Sequence, residues 1–218
     1  MTRMIAGRTA TALLVVVIGG CAGSTRAPAA AVVQPKLSPA AGATSGSRPY
    51  TAADVQFMSG MIVHHAQAVL IAGWAPSHGA SPALRTMAER IVVGQRDETT
   101  LMTRWLRDRG ETVPGADSSH PMMPGMDHSM LMPGMLTAEQ LAQLDHARGG
   151  EFDRLFLTFM TAHHQGALTM VNQLFGAQGA AQEETVFRMG SDIYADQSTE
   201  IDRMQKMLVA LPPQESRP

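Results

Sequence analysis

The sequence holds a single cysteine, Cys21, in 218 residues. With no second one it can close no internal disulfide and build no multi-thiolate metal site or haem-attachment motif, and a blue-copper centre is disfavoured as well. Basic residues are scarce too: 17 Lys and Arg face 19 Asp and Glu, for a formal charge of −2 that becomes −4 when Arg3 and Arg8 are set aside. No basic footprint for nucleic acid exists. No G-x-S-x-G or comparable nucleophile motif stands out, which argues against a hydrolase. The Glu-x-x-His pairs of di-iron helical proteins are missing from the segments that carry paired histidines, and no alternating apolar run announces a sheet.

What is present begins with a leader. Arg3 and Arg8 precede the apolar stretch "TALLVVVIGG", which is too short to span a bilayer comfortably, and "IGGC" ends it at Cys21. This resembles a lipoprotein signal over residues 1–20, with Cys21 as the lipidated first residue of the mature chain and the cell envelope or periplasm as the destination. An ordinary secretory signal is the alternative, and either one takes the chain out of the cytoplasm. Residues 21–49 are rich in Ala, Pro, Ser and Gly without periodicity and read as a disordered tether. Residues 50–211 suit one domain.

That domain contains an internal repeat. "DVQFMSGMIVHHAQAVLI" (54–71) aligns with "DRLFLTFMTAHHQGALTM" (153–170) at a constant offset of 99, matching Asp54 to Asp153, Met61 to Met160, and the two histidine pairs to each other. Downstream, Gln95, Glu98 and Met102 fall on Gln197, Glu200 and Met204 at an offset of 102. The halves run over about 51–110 and 151–211. In each, apolar residues step by three and four, as on a helix. Ser81 and Pro82 open one helix, Gly110 follows its end, and Pro212 and Pro213 stop the last. Two such helix pairs, each with an apolar face to hide, predict an all-α four-helix bundle made of tandem helical hairpins. A short helix between the halves is opened by a Thr137–Gln140 capping box and closed by Gly149 and Gly150.

Within each half, Met, His and His at i, i+3 and i+4 share a helix face, as do Gln, Glu and Met at i, i+3 and i+7 on the next helix. Met61, His64 and His65, and Met160, His163 and His164, are therefore candidate ligands. Gln95, Glu98, Met102, Gln197, Glu200 and Met204 face and orient them, together with Asp54 and Asp153. Imidazole and thioether together favour copper, and the thioether favours Cu(I). Spacing alone equally fits a buried network in which each histidine pairs with the facing glutamate. The linker 120–135, "HPMMPGMDHSMLMPGM", tips the balance toward metal. Its prolines and glycines forbid a continuous helix, so no core stripe explains Met122, Met123, Met126, Met130, Met132 and Met135, which with His120 and His128 make a soft-metal segment. His78 and His146 lack such company and are expected at the surface.

These residues carry a family resemblance. "FMSGMIVHHAQAV", "GGEFDRLFLTFMTAHHQGALTM" and "IYADQSTEIDRM" resemble the domain of unknown function 305 family over about residues 50–210, and the pattern F-x-x-x-M-x-x-H-H-x-x-A occurs in both halves. The resemblance implies a ferritin-like fold, export and copper binding through Met61, His64, His65, Met160, His163 and His164, with the Met-rich segment assisting. The first half departs from the second where Ile71 stands in the place of Met170 and Thr99 in that of Ile201. The leading expectation is a copper protein of the cell envelope, anchored through Cys21, that buffers, stores or hands copper to a partner protein without turnover. The alternatives are a metal-dependent oxidoreductase and a structural or partner-binding bundle.

Overall fold

The computed structural model describes residues 49–115 and 132–212; the leader with Cys21, nearly all of the tether, His120, and Met122, Met123, Met126, His128 and Met130 lie outside the described residues. Those residues form five helices and no strand: α1 (Ala52–Gly73), α2 (Pro82–Asp108), α3 (Ala138–His146), α4 (Gly150–Gly176) and α5 (Glu184–Ala210). α1 packs along α2, α4 along α5, and α1 against α4, while α3 touches α4.

The helix ends follow the local chemistry. Thr51 and Asp54 form a reciprocal capping box at α1, Ser81 accepts from Leu84 N ahead of Pro82 at α2, and Thr137 and Gln140 close the box at α3. α2 gives way at Arg109 to Gly110, whose φ of +70° suits glycine. The Gly149–Gly150 pair departs from expectation. α3 already ends at His146, and Gly149, at φ +58°, instead opens α4 with its N–H donated to His78 O at 2.9 Å. Its left-handed backbone turns the chain into the helix, a conformation a side chain would strain.

Two apolar clusters form the core. One gathers Leu84, Leu144, Phe152, Phe156, Met160 and Met204; the other gathers Met58, Met61, Met102, Trp105, Val171 and Val186. Each draws side chains from both hairpins, so neither hairpin completes its core alone. Met102 and Met204 are fully buried within these clusters.

Asp54 and Asp153 tie the hairpins together crosswise. Asp54 Oδ1 accepts from Ala181 N at 2.7 Å, in the turn before α5, and Asp153 accepts from Ser81 N at 3.1 Å, in the turn before α2. Each sits about ten residues, some 15 Å along a helix, from the histidine pair of its own helix. They therefore brace helix ends and do not orient imidazoles, which corrects the sequence expectation for both. Asp54→Ala strips the capping box and leaves the buried Ala181 N–H without a partner. The expected loss is about 2–4 kcal/mol, or roughly 5–15 °C in melting temperature, measurable by thermal denaturation. Asp153→Ala, with longer bonds, is expected to lose less.

His78 also differs from expectation, for it is buried. Its ring stacks at 5.7 Å on Trp74, lies 5.0 Å from Phe152, and bonds Asp145 O through Nε2 at 3.0 Å. Besides the nearby Trp74 and Ser77, its partners come from α3 and α4, about 70 residues away, where no local spacing points. His146 is exposed as expected.

Candidate metal centre

Helical spacing turns Met61, His64 and His65 on α1, and Met160, His163 and His164 on α4, into the interior, where all six are fully buried. Where α1 packs on α4, the rings of His64 and His163 meet with centroids 3.9 Å apart and planes tilted by 40°. His163 and His164 lie 6.2 Å apart. From α2, Glu98 Oε2 engages His65 Nε2 at 2.6 Å; from α5, Glu200 Oε2 engages His164 Nε2 at 2.7 Å. The two pairs occupy corresponding positions of the two aligned segments.

His64 has a partner that sequence reasoning missed. Its Nε2 lies 2.9 Å from the carbonyl oxygen of Pro133. A carbonyl can only accept, so His64 Nε2 carries the proton and Nδ1 keeps its lone pair. Pro133 belongs to a strap, residues 132–136, laid directly over the histidines. Gln67 holds it by both ends of its carboxamide, donating to Leu136 O at 3.2 Å and accepting from Leu136 N at 2.8 Å. Gly134 (φ +77°) and Gly166 allow the contact with α4: a Cβ at Gly166 would stand 2.0 Å from Pro133 O, and one at Gly134 would stand 2.6 Å from Ala162 O. The signals for this were the buried amide of Gln67 one helical turn after His64, and the small residue in "HHQGA".

The strap also brings in sulfur. A Cβ at Gly60 would lie 3.4 Å from Met132 Sδ and 3.3 Å from Met170 Cε, so both side chains converge on that glycine, at a cavity of about 290 Å³ that Phe57 and Pro133 also line. Met132 was expected in the Met-rich segment, whereas Met170 was not singled out. Met135 is half-buried, its N–H bonded to Met132 O.

Nine buried side-chain nitrogen and oxygen atoms among the described residues have no hydrogen-bond partner, and all belong to the paired histidines of α1 and α4 or to glutamines of α2 and α5. They are Nδ1 of His64, His65 and His164, both ring nitrogens of His163, and both carboxamide atoms of Gln95 and Gln197. Native interiors leave few such groups, each at a cost of about 1–3 kcal/mol. Three imidazoles are thus held by Nε2 with Nδ1 left over, the arrangement by which a second partner orients a histidine toward a metal. Among the described residues no three His, Asp or Glu side chains already converge on one ion-sized point. The thioethers of Met61 and Met160, on the same two helices, are fully buried as well.

Burial also sets the charge. It lowers the pKa of His64 to about 3, against the opposing bond to Pro133, and that of His65 to about 3. His163 is held well below its ordinary value by burial and by its neighbour His64. Burial first, and then the charge of Glu200, raises Glu98 to about 7. These three imidazoles are neutral at pH 7, the form that binds metal.

A pH dependence follows for the metal-free protein. Unfolding returns the three histidines to an ordinary value of 6.5, so below that pH the unfolded chain takes up protons that the folded chain refuses, and stability falls. Glu98 acts in the opposite sense between about 7 and its ordinary 4.5, where the folded chain holds the extra proton. Three imidazoles against one carboxyl leave a net loss on the order of 1–3 kcal/mol per pH unit between 6.5 and 4.5. Melting temperatures followed by circular dichroism should fall steadily through that window. A flat profile would mean that the imidazoles are solvated in the folded state.

The arrangement defines a class: an all-helical protein whose two aligned segments bury a facing His–His and Glu constellation. The domain of unknown function DUF305 matches residues 54–208, and the chain belongs to that family. A DUF305 fragment from Deinococcus radiodurans is 30% identical, covering 75% of this chain and 100% of that one, with a TM-score of 0.63. A DUF305 protein of Streptomyces coelicolor, assigned as secreted, is 26% identical over 76% of this chain and 98% of its own, with a TM-score of 0.62. CopM in its Cu(II)-bound form is 27% identical over 72% of this chain and 96% of its own, with a TM-score of 0.58. CopM in Cu(I)-bound and Ag-bound forms matches at 26% and 25% identity. No curated protein matches the sequence.

Proposed function

We propose that this chain is an extracytoplasmic copper-binding protein that buffers, stores or hands on copper without turnover. In this reading its two hairpins form a ferritin-like four-helix bundle around the histidines. The supporting observation is the set of neutral, buried imidazoles with unpartnered ring nitrogens, among them the facing pair His64 and His163. An apolar interior offsets the desolvation of such atoms with a ligand or ordered water. Neutral imidazole and thioether together suit copper, with Cu(I) favoured by the sulfur. Met61, His64, His65, Met160, His163 and His164 fit that ion by donor type. Glu98 and Glu200 would hold His65 and His164 in orientation, and Met122, Met123, Met126, His128, Met130, Met132 and Met135 would gather the metal. The copper- and silver-bound forms of CopM support the reading at about a quarter identity.

Residues 1–20 would act as a lipoprotein signal, Cys21 as the membrane anchor, and 21–49 as the tether to the domain at 50–211, with a copper-handling protein as partner. A second reading, a purely structural network, draws on the His65–Glu98 and His164–Glu200 bonds. Titration of the mature protein with Cu(I) against a chromophoric chelator separates the two. The copper reading expects competition at roughly micromolar affinity or tighter, and it fails if the chelator keeps all the metal.

A further inference from the structure

The cavity on the α1–α4 side carries the thioethers of Met132 and Met170. A different cleft, of about 230 Å³, opens between α2 and α5, and its lining includes Gln95, Glu98, Asp196, Gln197 and Glu200, with Arg90 and Arg203 also present. Glu98 and Glu200 each engage a histidine through Oε2 alone, and their side chains remain 16% and 20% exposed. They connect the buried imidazoles to the cleft. Gln95 and Gln197 are 3% and 2% exposed, and neither the oxygen nor the nitrogen of either carboxamide has a partner. Two unsatisfied amides at corresponding positions, beside two carboxylates that repel each other, call for a cation.

We infer that the α2–α5 cleft is an oxygen-donor site for a divalent cation, built from the carboxylates of Glu98 and Glu200 and the carboxamide oxygens of Gln95 and Gln197, with Asp196 adding charge. Carboxylate and carbonyl oxygens are the donors of hard and borderline divalent ions, whereas the imidazole–thioether centre suits a soft one. Each glutamate touches the cleft and one histidine, so a cation received here lies one side chain away from His65 or His164. As an oxygen site the assignment stands on its own; as the entrance to the histidine centre it rests on the copper function proposed above.

The test uses the mature full-length chain, first saturated with Ag(I) to fill soft donors and then titrated with Mn(II), the free ion being followed by electron paramagnetic resonance. One Mn(II) per chain is expected. Glu98→Gln/Glu200→Gln removes both carboxylates and should weaken Mn(II) binding by about tenfold or more. Gln95→Leu/Gln197→Leu leaves both His–Glu bonds in place; it should also weaken Mn(II) binding, and it decides the matter if the glutamate variant does not fold. Failure of the Ag-loaded wild type to take up Mn(II), or variants that bind it as the wild type does, would overturn the site. Should the wild type bind Mn(II) in the expected way but no Ag(I), the oxygen site stands and the copper function falls.

Discussion

His163→Leu is expected to bind Cu(I) about 100-fold or more weakly than the wild type and yet, without metal, to melt at a higher temperature. Both effects come from the same atoms. His163 is fully buried, and neither of its ring nitrogens has a hydrogen-bond partner. A leucine of similar volume removes that desolvation without orphaning any neighbour, which should stabilise the metal-free chain by about 1–3 kcal/mol. In the proposed copper site the same change deletes a ligand, and disturbing even the supporting residues of a metal site commonly lowers affinity 10- to 100-fold or so. A structural network predicts the reverse: a lower melting temperature and unaltered metal content. His64→Leu is the less clean variant, because it strands the carbonyl of Pro133. Chelator competition and thermal melts on one preparation read both quantities.

Gly166→Ala is expected to be among the most damaging single substitutions. Its Cβ would stand 2.0 Å from the Pro133 oxygen and 2.4 Å from its carbonyl carbon. These are backbone atoms, so no rotamer change relieves the clash and the strap must lift. Lifting it breaks the His64–Pro133 bond and both bonds between Gln67 and Leu136. A loss of about 3 kcal/mol or more is expected, roughly 6–12 °C in melting temperature, with faster proteolysis within residues 132–136. Gly94, where a Cβ meets nothing within 4 Å, is the control: Gly94→Ala should be neutral or slightly stabilising. Equal behaviour of the two alanine variants would show that the strap does not pack as described.

The elements were legible because their signals are local. Ser81 and Thr137 cap the helices they were read to cap, and the spacing of Met61, His64 and His65 turns all three inward as read. The misreadings share one cause. His78 is buried against Phe152 and Asp145 of the later helices, Asp54 and Asp153 bond turns of the other hairpin, and Gly149 bonds His78 across the fold. Helical periodicity reports which residues share a face, and it carries no information about what that face meets.

The same division runs through the candidate site. From the sequence alone came the donor types, their burial, and a histidine–glutamate pairing across each hairpin as one of two open readings, because these depend on residue chemistry, helical spacing and the hairpin that brings adjacent helices together. The tertiary structure alone decided that His64 meets His163, that Pro133 fixes the proton of His64 on Nε2, and that the strap can lie on α4 because Gly134 and Gly166 leave room. Those facts depend on docking one hairpin against the other, which is set by the shape of whole faces and by contacts between residues far apart in the chain.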